Sequence, residues 1–111
     1  MYEEKIKNIV EQFTLEIKRM YGTSLRSVIL YGSCARGDFE CDSDIDVMVL
    51  LDLPQEEIGK VRKQISDISD RFDLEHDVVL APVIQNYQLF HQYMPVSGFY
   101  QNVQKEGVMF A

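Results

Sequence analysis

The chain has 111 residues, 46% of them apolar, and carries a net charge of −7. That length fits one domain, residues 1–111, with a modest core and no second lobe. The acidity excludes a nonspecific DNA or RNA surface, which needs cations to displace counterions, and an anionic-membrane surface; the few glycines and prolines, 6 and 3, exclude global disorder.

In chain order, Ile6, Ile9, Val10, Phe13, Ile17 and Met20 recur at helical spacing and predict an amphipathic helix over residues 3–20, stopped by Gly22. Leu25 to Tyr31 is rich in β-branched and large apolar residues and reads as a buried strand. Residues 34–43 read as a loop with room for a short helical turn after Ser33. Ile45 to Leu51 is a second strand, with Asp46, Met48 and Leu50 on one face and Ile45, Val47, Val49 and Leu51 on the other. Pro54, Glu56 and Glu57 open a helix whose core face is Ile58, Val61, Ile65, Ile68 and Phe72. Lys60, Arg62 and Lys63 on that helix read as surface charge. His76 to Val83 is expected to be a third strand, with Pro82 marking an edge or an end. Leu89, Phe90, Tyr93 and Met94 then form one helical stripe broken by Pro95. Ser97 caps a last helix carrying Phe99, Tyr100 and Val103, Gly107 follows it, and Val108 to Phe110 adds a short edge strand. The order predicts an α+β fold: a small mixed sheet with helices packed on it.

No run approaches the length of a membrane span, and the N-terminus has no signal-peptide pattern. Cys34 and Cys41 therefore read as reduced thiols of a cytoplasmic protein.

The chemistry concentrates between the first two strands. An apolar run ends in Gly32-Ser33; ten residues follow, and a second apolar run opens on Asp44-Ile45-Asp46. Carboxylates at i and i+2 of a strand share a face and repel unless a cation lies between them. Mg²⁺ held by one or two carboxylates and substrate phosphates fits such a pair. The glycine turn lets backbone approach a phosphate closely. Asp46 precedes Val47-Met48-Val49-Leu50-Leu51, a run that should be buried, and a buried unpaired carboxylate is expensive. A strand cap or a solvated edge charge accounts for Asp44 alone but not for Asp46.

Gly-Ser, ten residues, then Asp-x-Asp resembles the signature of the nucleotidyltransferase superfamily related to polymerase beta. Chain length and the variant Gly32-Ser33-Cys34-Ala35-Arg36-Gly37 point to its minimal nucleotidyltransferase branch. The resemblance implies the polymerase-beta palm-like sandwich, with a mixed sheet carrying the acidic residues. It implies Mg²⁺-dependent transfer of a nucleoside monophosphate from a triphosphate, with ATP the expected donor, to a hydroxyl; the base preference is not readable from the sequence. Asp44 and Asp46 would hold two ions, and Ser33, beside Gly32, would hold the β- and γ-phosphates. A third carboxylate on a neighbouring strand would complete the ion site and orient or deprotonate the nucleophile. Asp77, followed directly by Val78-Val79-Leu80-Ala81, fits best, with Glu75 and Asp73 as further options. His76 reads as a strand-end residue. Arg36 would reach phosphate or a partner's acidic group, a solvent-exposed arginine being the bland alternative. Asp38, Glu40 and Asp42 would thicken the negative charge near the ions, or only keep the loop soluble.

Nothing in the chain looks like a base-reading or primer-binding domain, so the acceptor must come from another molecule. Small stand-alone members of this branch are often antitoxins of helical HEPN-domain proteins, and some attach AMP to a partner tyrosine. A different class of function remains open: a module that neutralises its partner by binding, with catalysis weak or lost. A glycosyltransferase reading of Asp-x-Asp leaves the Gly-Ser spacing unused. Tyr87, Leu89, Phe90, Tyr93, Met94, Phe99, Tyr100 and Phe110 are many large side chains for a short segment. They divide between core and interface, with core as the default. Oligomeric state is not readable from the sequence.

Overall fold

The computed structural model describes residues 2–36 and 44–111; Asp38, Glu40, Cys41 and Asp42 lie outside the described residues. The elements run α1 (Tyr2–Tyr21), a 3-10 turn (Gly22–Ser24), β1 (Leu25–Tyr31), α2 (Ser33–Arg36), β2 (Ile45–Leu51), α3 (Gln55–His76), β3 (Leu80–Asn86), α4 (Tyr87–Tyr93), α5 (Gly98–Glu106) and β4 (Val108–Met109). The strands form one mixed sheet in the order β3-β2-β1-β4. β1 is antiparallel to β2 and β4, whereas β2 and β3 are parallel. This is the α+β arrangement expected for a nucleotidyltransferase fold.

Two-residue periodicity sorts β2 between two cores. Ile45, Val47, Val49 and Leu51 pack with Ile6, Ile9, Val10, Phe13 and Ile17 of α1 and Ile58, Val61, Ile65, Ile68 and Phe72 of α3. Phe13 and Phe72 meet edge to face at 5.9 Å between ring centroids. Met48 and Leu50 face the other way, with Ile29, Phe90 and Val103, under α4 and α5. The first face is filled by two long helices, the second by two short ones. Asp46, at the start of β2 on this second face, is only partly buried.

The third strand begins later than expected. Where the sequence suggested a strand from His76, α3 continues through His76 and β3 begins at Leu80. Pairs at i, i+4 extend the helix: Arg71 Nε lies 3.7 Å from Glu75 Oε1, and the His76 ring stacks on Phe72 at 5.6 Å. Asp77 then turns into the left-handed region (φ 54) and donates its N–H to the Asp73 carbonyl, which also accepts from Val78.

The outer edge of β3 is occupied by side chains of α3. Asp73 Oδ1 accepts the Leu80 N–H at 2.7 Å, and Arg62 donates to the Ile84 carbonyl at 3.3 Å. Between them Pro82 has no N–H to offer. At the opposite edge β4 is two residues long, with Val108 and Met109 both exposed. The C-terminal aromatic stripe divides: Phe90 is buried, Tyr87 and Tyr100 are partly buried, and Tyr93 and Phe99 are about half exposed. Among the described residues no helix is long and apolar enough to cross a membrane.

Candidate active site

Gly32 follows the last residue of β1 with φ 75, a conformation that glycine adopts without penalty. Its carbonyl accepts the N–H groups of Ala35 and Arg36, turning the chain into α2. Ser33, the first residue of α2, is partly buried. A Cβ added to Gly32 would stand 2.7 Å from Asp46 Oδ2, so only a glycine admits the carboxylate this closely. The Gly-Ser turn and the Asp-x-Asp strand, distant in sequence, are in contact.

Asp44 is exposed just before β2, and Asp46 is the strand's second residue, partly buried and opposite Tyr31 of β1. The Asp46 carboxyl is pushed above the usual carboxylate range, first by burial and second by the charge of Asp44. Tyr31, half buried beside it, is pushed up to about 12 by burial and then by Asp46. The Cys34 thiol donates to the Asp44 carbonyl at 3.4 Å and is raised by burial, then by Asp46 and Asp44. Two hard-oxygen donors, with the charge of Asp44 raising the cost of ionising Asp46, fit a divalent ion such as Mg²⁺, which would offset that repulsion. Among the described residues, no third His, Cys, Asp or Glu is close enough to complete a metal-binding group with them.

The remaining candidates are placed as follows. Asp77 is exposed at the end of α3, not on a strand. β3 carries no carboxylate, and the residue that pairs with Asp46 there is Ala81. Glu75 is engaged with Arg71 on the helix surface. Asp73 is partly buried; its carboxyl is raised by burial, then by Asp70 and Asp44, against a lowering from the Leu80 N–H. The charge of Asp44 thus reaches the Asp73 carboxyl. The sequence hid this, because placing Asp73 depends on where α3 ends. Arg36 Nη1 lies 3.3 Å from Glu106 Oε2, linking α2 to the end of α5, a partner no local pattern announces.

A family model described as nucleotidyltransferase domain matches residues 10–108. A Methanocaldococcus jannaschii protein named "Putative protein adenylyltransferase MJ0604" is 30% identical over 107 residues, 96% of each chain. A second from the same organism, "Putative protein adenylyltransferase MJ0141", is 35% identical over 81 residues, 72% of this chain and 79% of its own. Among solved structures, a mutant of the toxin-antitoxin pair MntA-HpeT is similar with a TM-score of 0.55 and 16% identity, over 91% of this chain and 72% of that one. At that identity the last likeness speaks for the fold alone. Near-complete coverage by the family model and by a relative of equal length decides the assignment: the chain belongs to the nucleotidyltransferase domain family and is a nucleotidyltransferase.

Proposed function

We propose that this protein, acting as a single minimal domain in the cytoplasm, transfers AMP from ATP to a hydroxyl of a partner protein in a Mg²⁺-dependent reaction. The observation that carries this reading is the seat of Asp46 against Gly32, which brings a carboxylate to the turn suited to phosphate. The names of the relatives support a protein as acceptor. The toxin-antitoxin context of the structural neighbour suggests an antitoxin role, with a tyrosine of a small helical HEPN-type toxin as target.

In this reading Asp44 and Asp46 hold the ions, Ser33 and the backbone at Gly32 hold the β- and γ-phosphates, and Arg36 adds positive charge at the phosphates. Bound Mg²⁺ would neutralise charge on the phosphates and on the departing pyrophosphate. The acceptor oxygen attacks the α-phosphorus, the bond to the β-phosphate bridge oxygen breaks, and the acceptor proton passes to a carboxylate. We assign that carboxylate to the α3–β3 junction, with Asp77 first and Asp73 as its competitor. Asn at position 77 keeps the left-handed turn and removes the charge. Loss of transfer in Asp77→Asn with an unchanged melting temperature supports Asp77; retention there with loss in Asp73→Asn transfers the role.

A second reading has an observation of its own. The two carboxylates lack a third in reach among the described residues, as in a module that binds its partner without modifying it. One experiment separates the readings: incubation with labelled ATP, Mg²⁺ and the product of the neighbouring gene, followed by intact mass. A gain of AMP on the partner, absent with Asp46→Ala, supports the enzyme. A stable complex with no mass gain supports the binding module.

A further inference from the structure

The turn and the Asp-x-Asp pair account for the phosphates of a nucleotide but leave its base without a contact. From the placement of the C-terminal aromatic residues, we propose that Phe99, braced by Tyr31, is the surface on which the nucleobase stacks. The proposal rests on the nucleotidyltransferase reading and deepens it.

Three facts lead there. First, Tyr31 pairs with Asp46 across β1 and β2, and Ser33 lies two residues beyond Tyr31. Side chains directly opposite in an antiparallel pair have Cβ atoms about 5 Å apart, so the Tyr31 side chain stands beside the carboxylate. Second, Phe99 meets Tyr31 edge to face, at 5.6 Å and 76°, and Tyr100 at 5.7 Å. Tyr100 is itself fixed, by a 3.0 Å hydrogen bond from Gln85 and by the Phe90 ring at 4.7 Å. Phe99 is therefore held on two sides while 48% of it remains exposed. An isolated exposed ring needs no explanation; a braced ring at the open end of the face that bears Asp46 is suitably placed for a ligand. Third, among the described residues the other directions from Asp46 offer no ring: the other face of the sheet is filled by α1 and α3, and on the β3 side of Asp46 the neighbour is Ala81.

Stacking uses the flat face common to every base and reads no hydrogen-bonding edge. The site should therefore be tolerant, holding adenine and guanine nucleotides with similar affinity.

Calorimetric titration in Mg²⁺ with an α,β-methylene analogue of ATP, and separately with inorganic triphosphate, tests the assignment without relying on turnover. Phe99→Ala should weaken the analogue about tenfold, the size of effect seen when a stacking ring is removed, and leave inorganic triphosphate unchanged. Phe99→Tyr should retain both affinities. If Phe99→Ala binds the analogue as the unmodified protein does, or loses both ligands in equal proportion, the assignment is overturned. Should Phe99→Ala prove unstable, Phe99→Leu, which keeps apolar bulk but no flat ring, is read by the same criteria. If the unmodified protein binds neither ligand, the nucleotidyltransferase reading fails, a result distinct from loss of the stacking surface alone.

Discussion

Gly32 leaves no room for a side chain over Asp46: the Cβ it lacks would fall 2.7 Å from Asp46 Oδ2. Glycine is thus required here by a positive φ and again by a neighbour. Gly32→Ala should cost about 1–2 kcal/mol from the left-handed backbone alone, plus the displacement of Asp46. Thermal melting of Gly32→Ala, Asp46→Ala and the double variant checks this, because shortening Asp46 relieves the clash and leaves only the backbone cost. Strictly additive losses would show that the two residues do not touch.

Asp46→Asn should raise the melting temperature of the metal-free protein at neutral pH while abolishing Mg²⁺-dependent nucleotide binding. The raised carboxyl means that folding disfavours its ionised form. That penalty is present at neutral pH, falls away as pH drops through the raised folded value, and is gone below the ordinary value of 3.8. The melting difference between variant and parent should shrink over the same acid range. A difference independent of pH would assign it to packing instead.

Tyr31 gives the opposite arm. Its folded value of about 12 against an ordinary 10.0 favours the neutral phenol in the fold. The stability it contributes is complete below pH 10 and is lost as pH rises toward about 12. Tyr31→Phe should flatten that alkaline loss, read by denaturant melts across the range. In ultraviolet titration of the parent, Tyr31 should ionise late, and later than in Asp46→Asn.

Phe90 anchors α4 and α5 over Ile29, Met48 and Leu50, and is 1% exposed. Phe90→Ala should cost about 3–5 kcal/mol in denaturant unfolding, as large-to-small core changes do. It should also loosen Tyr100, whose ring lies against it.

Asp73→Ala should cost about 1–3 kcal/mol, because the Leu80 N–H loses a charged acceptor. Hydrogen exchange at Leu80 should rise above the change explained by global stability. Exchange that simply tracks global unfolding would deny the bond a local role.

Much of this was legible in residue order. β1 and β2 fall where the apolar runs place them, and Met48 and Leu50 take the opposite face to Val47 and Val49, as alternation demands. Ser97 caps α5 through a 3.1 Å hydrogen bond from Tyr100, as its position foretold. What escaped was set by contacts between distant segments. His76 reads as a strand start until its ring is seen on Phe72. Asp77 reads as a strand carboxylate until that extra helical turn places it in a left-handed cap. Glu106 becomes meaningful only once folding brings it, from seventy residues away, to Arg36. Periodicity records burial one element at a time; it does not record which ends meet.

The edge of β3 has a consequence for the protein at high concentration. An unpaired strand edge invites another chain to extend the sheet, the route by which soluble proteins become fibrous. Here the outward N–H of Leu80 and carbonyl of Ile84 are spoken for by Asp73 and Arg62, and Pro82 supplies no donor between them. These contacts disfavour sheet growth on that flank, and the same Asp73 that feels the charge of Asp44 also covers part of the strand edge.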